Sequence, residues 1–158
     1  MKDYTIHLAT DHAGFEMKEF LKQALEKLEY TVVDHGADTY DPVDDYPDYI
    51  HLAASAVSIN PHDRAIIFGG SGQGEAMVAN RYSNVRATTY YHFSPEIIKL
   101  SREHNNANVL SVGARFMDNQ ELLESVLFWL ELPFLTEERH VRRIEKIDLT
   151  EYSDEIEL

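Results

Sequence analysis

The chain has 158 residues and a formal net charge of −14, with 44% hydrophobic residues and no cysteine. This length suits one domain with a single core, and the apolar content excludes a disordered chain. The negative charge argues against nucleic acid or an anionic membrane as a partner. No apolar run approaches the roughly 18 residues that span a bilayer, and no signal-peptide pattern is visible, so we expect a cytoplasmic protein.

Short apolar runs alternate with longer segments of helical periodicity along the chain. The segment 38–48 carries five aspartates and two prolines and is predicted to be a loop. Such alternation is typical of a parallel sheet covered by helices on both faces. We predict strands at 4–10, 31–33, 65–68, 85–90 and 108–113, and helices at 17–28, 49–57, 76–79, 95–103, 119–130 and 137–147.

The predicted fold is therefore α/β: one domain over residues 1–147, with about five parallel strands and a C-terminal helix. Ser94 and Pro95 form a favourable helix start, a capping residue followed by proline at the first helical position. The tail 148–158 has five acidic and no basic residues, and we expect a frayed or weakly packed end.

A glycine-rich turn, Gly-Gly-Ser-Gly-Gln-Gly-Glu at 69–75, follows the apolar run at 65–68 and precedes a predicted helix. Glycines let a ligand approach the backbone, and a turn between strand and helix directs N–H groups at one spot. Glu75 places a carboxylate beside that spot. A base next to clustered N–H donors can form and stabilise an oxyanion, although a tight loop with a helix-starting glutamate is the simpler interpretation.

Polar residues follow several predicted elements, and we expect four such clusters to converge at the carboxyl edge of the sheet. Structural alternatives exist for each: Asp11 as a helix cap, His12 as a turn residue, His104 as a cation at a helix C-terminus, and Arg115 as a solvated loop residue. The clusters are Asp11–His12 after the first strand, the glycine turn, 103–106 after the fourth helix, and 113–115 after the fifth strand.

The last predicted helix contains Arg139 and Arg143, which share a face because they are four residues apart. Two guanidinium groups on one face suit a phosphate. Ion pairs with Glu137, Glu138 and Glu145 are the structural alternative.

Taken together, seven motifs in order over roughly residues 4–147 resemble one family, the type B ribose-5-phosphate isomerases. Many members carry a cysteine base just before the glycine turn. Here that position is Gly69, so the chain resembles the subset with a glutamate base. The motifs are 10–15, 45–47, 69–75, 79–80, 102–108, 113–115 and 139–143.

The resemblance implies a Rossmann-like fold, a homodimer or dimer of dimers with a site shared between chains, and interconversion of ribose 5-phosphate and ribulose 5-phosphate without metal or cofactor. It implies that Glu75 moves a proton between C1 and C2, that His104 opens the furanose ring, and that Asn105 holds a hydroxyl. Beside a helix N-terminus, Glu75 is expected to be ionised and weakly basic. The donors to the enediolate oxygen would be Gly70, Ser71, Gly72 and Gly74.

The same resemblance implies that Asp11 and His12 contact the sugar near its ring oxygen and phosphate end, and that Tyr46 lines the pocket. The phosphate would be held by Arg115, Arg139 and Arg143. Two alternatives stay open: an isomerase of a six-carbon sugar, allose 6-phosphate or galactose 6-phosphate, and a non-catalytic phosphosugar- or nucleotide-binding module. The role of His140, between the two phosphate arginines, is also open.

Overall fold

The computed structural model describes residues 3–148, and the rest of the predicted acidic tail, 149–158, lies outside this range. In this range, five strands form one sheet in the order β2-β1-β3-β5-β4, and every neighbouring pair is parallel. The predicted parallel α/β fold is thus confirmed. The strands are β1 (Thr5–Thr10), β2 (Thr31–Asp34), β3 (Arg64–Gly69), β4 (Ala87–Tyr90) and β5 (Val109–Gly113).

Within the described residues, six helices connect and follow the strands, with a short 3-10 turn at His12–Gly14 after β1. They begin and end within a few residues of the predicted limits. Ser94 differs from its prediction: its side chain makes no capping bond, and its backbone N–H instead donates to the Tyr90 hydroxyl. The helices are α1 (Phe15–Lys27), α2 (Pro47–Ile59), α3 (Gln73–Ala79), α4 (Pro95–Glu103), α5 (Asn119–Glu131) and α6 (Glu138–Asp148).

The sheet is covered on both faces because side chains on each strand alternate between two hydrophobic clusters. On β3, Ile66 and Phe68 pack with α1, α4 and α5, whereas Ala65 and Ile67 pack with α2 and α3. Trp129 of α5 is the largest fully buried side chain of the first cluster. The result is a three-layer sandwich, and within residues 3–148 no helix has the length and apolarity needed to cross a membrane.

The chain changes direction across the sheet between β1 and β3. After β1 it continues to β2 on one side, and it then returns to place β3 on the other side of β1. In open parallel sheets, ligands bind outside the carboxyl ends of the strands at such a switch point. The fold therefore places the segments after β1 and β3 at the expected binding crevice.

Candidate active site

A pocket of about 500 Å³ lies at this crevice, beyond the carboxyl ends of β1, β3 and β5. A larger cavity of about 1000 Å³ runs along α3 and β4, but no acid or histidine is among the described residues that line it. Of these two cavities, only the smaller one is lined by carboxylates and a histidine among the described residues. Its lining is Asp11, His12, Ala13, Tyr46, Gly70, Ser71, Gly74, Glu75, Arg115 and Phe116.

The glycine turn is fixed to the end of β5 by three hydrogen bonds. The N–H of Ala114 donates to the carbonyl of Gly69 (2.9 Å), that of Arg115 donates to Gly70 (3.2 Å), and the Ser111 hydroxyl donates to the carbonyl of Gly72. Gly72 has a φ of 76°, a left-handed conformation that favours glycine. Gly72 does not line the pocket, and its position serves the shape of the turn.

Glu75 is the third residue of α3 and is only 4% exposed. Its carboxylate lies against Gly69, in the space that a β-carbon at position 69 would take. Burial raises the pKa of Glu75, its own backbone N–H lowers it, and the nearby Asp11 raises it further. The net direction is upward, so the expectation of a weakly basic carboxylate was wrong: burial outweighs the favourable position at the helix start.

Asp11 and His12 begin the 3-10 turn after β1. Asp11 accepts a hydrogen bond from the N–H of Ala13 (2.9 Å) and so caps the 3-10 turn, not the first helix as the structural alternative predicts, because the N-cap of α1 is Gly14. Asp11 also lines the pocket. Burial raises the pKa of Asp11. His12 is bonded through Nδ1 to Oδ1 of Asp44 (2.7 Å), which also accepts from the His12 backbone N–H (3.0 Å).

Asp11, His12 and Asp44 also form the one group of potential metal ligands found among the described residues, with ligand atoms within 4.8 Å of one another. The 2.7 Å separation of Nδ1 and Oδ1 is a hydrogen-bond distance, so a proton lies where a bridging cation would need to be. The arrangement is a hydrogen-bonded pair of His12 and Asp44, with His12 at the wall of the pocket.

Tyr46 and Arg115 close two sides of the pocket by packing against the glycine turn. The phenol ring of Tyr46 lies against Gly74, and the guanidinium of Arg115 lies against Gly70. In both places a β-carbon on the glycine would come within 2.7 to 3.3 Å of the side chain. Small residues in the turn thus allow both larger side chains to reach the pocket.

His104 and Asn105 lie at the opposite edge of the sheet, which corrects the prediction that four clusters converge. They follow α4 and precede β5, where the segment is bonded to the start of β4: Arg86 donates to the carbonyl of Asn106 (3.0 Å) and to the side chain of Asn108 (2.8 Å). A helix that connects two parallel strands returns to the amino edge. Three clusters therefore meet at the carboxyl edge, and this one does not.

His104 belongs instead to a second group with residues of α6. Its ring stacks on that of His140, with 4.2 Å between centroids and 18° between planes. The His140 side chain is 3% exposed, and its Nε2 has no hydrogen-bond partner. Burial, followed by the proximity of His104 and Arg139, lowers the pKa of His140.

Arg139 and Arg143 are both exposed on α6, near His140. Arg139 donates to Glu137 (2.9 Å), as the structural alternative for these residues predicts. Arg142, also exposed, forms a separate ion pair with Glu138 (2.7 Å). Asn105 is exposed as well, so the members of this second group are accessible except for His140 and part of His104.

Three residues at these sites were not predicted from the sequence. Asp44 is one of five aspartates in the segment 38–48, and nothing in the sequence distinguishes it from the others. Phe116 and Ala13 line the pocket, and their place directly beside Arg115 and His12 was an available signal.

Comparison with known proteins identifies the class to which this fold and pocket belong. Residues 6–147 match the model of the Ribose/Galactose Isomerase family, and the chain belongs to that family. It is 37% identical over 140 residues to ribose-5-phosphate isomerase B of Mycolicibacterium paratuberculosis, covering 89% of this chain and 87% of that protein.

Solved structures agree with this assignment. The chain resembles ribose-5-phosphate isomerase B of Mycoplasma genitalium, crystallised with bound ribulose-5-phosphate, with a TM-score of 0.88, 36% identity, and coverage of 94% of this chain and 96% of that one. The Thermotoga maritima ribose 5-phosphate isomerase matches with a TM-score of 0.85, 37% identity, and coverage of 93% and 99%. The resemblance noted from the motifs is thereby confirmed.

Proposed function

We propose that this protein interconverts ribose 5-phosphate and ribulose 5-phosphate by proton transfer through an enediolate. The names of its relatives support this reaction, and the relative from Mycoplasma genitalium binds ribulose-5-phosphate. The observation that carries the proposal is the buried Glu75 carboxylate, held at the start of α3 beside a turn that lines the same pocket.

In this mechanism Glu75 removes the C2 proton of the open-chain aldose and returns it to C1, while the hydroxyl proton moves between O2 and O1. No electrons leave the substrate, so no redox cofactor is needed. A raised pKa makes Glu75 a stronger base, which increases the driving force for proton abstraction. Gly70, Ser71 and Gly74 present backbone N–H groups to the enediolate oxygen, an oxyanion-hole arrangement. Gly72, which does not line the pocket, shapes the turn.

The proposed site is shared between two copies of the chain. Within one chain, β5 separates the edge that carries Glu75 from the edge that carries His104, and a five-residue strand is about 13 Å long from first to last residue. Proton transfer needs a group within about 3 Å of its target. A second chain would supply His104 to open the ring, Asn105 to hold a hydroxyl, and Arg139 and Arg143 to bind the phosphate beside Arg115.

Uncovered apolar side chains support this homo-oligomer. Met77 on α3 and Ile147 on α6 are 67% and 57% exposed, and both border the larger cavity along β4. Exposed apolar residues gathered around a groove are typical of an interaction surface.

The proposal also includes a cytoplasmic location, which agrees with the lack of cysteine.

The reaction is tested by assaying the purified protein with ribose 5-phosphate in the presence of EDTA, and with allose 6-phosphate and galactose 6-phosphate in parallel. We expect pentose turnover that does not depend on a free metal ion. Preference for a six-carbon sugar would keep the mechanism and change the substrate. Binding of phosphosugars without turnover of any would contradict the proposal and favour the binding-module alternative.

The shared site is tested by mixing two variants, Glu75→Gln and His104→Asn, each inactive with ribose 5-phosphate by itself. After the subunits exchange, a mixed dimer contains one site with both native residues and one site with neither. Random exchange should restore about a quarter of the wild-type activity per chain, as two-fold symmetry requires. No recovery after confirmed exchange would show that each chain holds a complete site.

A further inference from the structure

Asp44 combines burial with an unusual hydrogen-bond arrangement. Its side chain is 6% exposed, and its Oδ1 accepts from both the ring Nδ1 and the backbone N–H of His12. The other oxygen, Oδ2, is buried and has no partner. A buried carboxylate with one unpaired oxygen is costly unless a positive charge lies next to it. The nearest group that can carry that charge is the imidazole of His12.

The surroundings of His12 favour its charged form. The hydrogen bond to Asp44 is the main cause that raises the pKa of His12, and Asp11, whose carboxylate lies 3.9 Å from Nδ1, raises it further. Partial burial and the positive charge of Arg115 act in the opposite direction. Glu16 shares a smaller neighbouring cavity with His12, and the ring of Tyr40 packs edge-on at 6.3 Å.

We propose that Asp44 is a positioning residue that holds His12 as an imidazolium, with Nδ1–H directed at Asp44 and Nε2–H left to donate to the phosphate end of the substrate. The two ring nitrogens point in different directions, so a bond from Nδ1 to the loop 38–48 leaves Nε2 free for the pocket that His12 lines. The inference rests on the proposed isomerase function, and it adds Asp44, a residue that none of the predicted site motifs includes.

Asp44→Asn removes the negative charge of the side chain and keeps its shape. An asparagine oxygen can still accept from both His12 donors, so the loop can keep its anchor, whereas the negative charge is gone. Asp48→Asn is the matched control, because it removes one charge from the same acidic segment at an exposed position in the first turn of α2. The assay is the pH dependence of KM and kcat for ribose 5-phosphate, from pH 6 to 9.

For the wild-type enzyme, binding that depends on the imidazolium is present below the pKa of His12 and is lost as the pH rises through it. In Asp44→Asn that pKa falls, so the rise in KM should begin at lower pH. At neutral pH we expect KM to increase about tenfold with kcat little changed, as for the loss of a charge-assisted hydrogen bond. Titration of the substrate phosphate and of Glu75 affects the wild type and Asp44→Asn alike, so it does not contribute to the difference between their KM profiles.

The protonation of His12 is measured independently by NMR, with the His12 signal assigned by its loss in His12→Gln. We expect its titration midpoint to lie above the ordinary value of about 6.5 in the wild type and to move down in Asp44→Asn but not in Asp48→Asn. An unshifted midpoint, or KM profiles that coincide, would overturn the inference. A wild-type protein inactive with ribose 5-phosphate would instead refute the proposed function, and the NMR result would still decide whether Asp44 controls the charge of His12.

Discussion

The two edges of the sheet carry different halves of the proposed machinery, and they are built differently. At the carboxyl edge, Glu75 and Asp11 are 4% and 7% exposed, and hydrogen bonds from β5 fix the turn beside them. At the amino edge, Arg139 and Arg143 are exposed, and Nε2 of His140 makes no hydrogen bond.

This difference indicates how the work is divided. Proton abstraction needs a base held within a fraction of an ångström, and the chain supplies that precision from its own β1, β3 and β5. Phosphate binding depends on long side chains that can change partners when a ligand arrives. In the proposed shared site, the side chains of the amino edge act on the pocket of a second chain.

The largest effect is expected from Glu75→Gln at the carboxyl edge. The variant keeps the shape of the side chain and removes the base, so kcat should fall by about 10²–10⁴-fold, the contribution of a positioned general base. Phosphosugar binding, measured by calorimetry, should be retained. Turnover near the wild-type rate would show that another group removes the proton.

A smaller loss is expected from Gly69→Ala, which tests the precision of the same edge. The added methyl group would occupy the space of the Glu75 carboxylate and displace it, and a shift of about 1 Å at the reacting group can cost about 100-fold in kcat. Thermal stability should change little, because only the end of a side chain has to move. The substitution should add little in a Glu75→Gln background, since two changes that act through one group are not additive.

At the amino edge, Arg143→Met should raise KM more than it lowers kcat. A charge-assisted bond to phosphate contributes about 1.5–3 kcal/mol, which corresponds to about 10- to 150-fold in KM. Arg142→Met is the control on the same helix, because Arg142 is also exposed and pairs with Glu138. Equal effects of the two substitutions would indicate that only the overall charge of α6 matters.

The carboxyl edge could be predicted from the sequence to a large extent, because Asp11, the glycine turn and Arg115 each follow closely on a strand. Apolar periodicity located β3, and the glycine turn after it placed Glu75 correctly at the start of α3. The edge on which His104 lies also follows from the element order, because a helix between two parallel strands of one sheet ends at the amino edge. The partner of His12 was out of reach, since choosing Asp44 among five aspartates requires the path of the loop.

The smallest effect is expected from His140→Phe, which tests whether His140 lowers the stability of the folded protein. Phenylalanine can keep the stack on His104 while removing a buried nitrogen that makes no hydrogen bond and lies 3.8 Å from the carboxylate of Glu137. A gain of 1 kcal/mol would raise Tm by about 2–4 °C in a chain of this size.

The gain from His140→Phe should grow as the pH falls. The pKa of His140 is lowered in the folded state, so the unfolded chain binds the proton first, and this opposes folding below about pH 6.5. Melting curves at pH 5 and pH 8 measure this difference, and kcat is measured on the same samples. Higher stability with lower turnover would assign His140 a role in the reaction, beside or in place of His104 in ring opening. Higher stability with unchanged turnover would make it a support for the His104 ring, and lower stability would show that its nitrogen has a partner in the assembled protein.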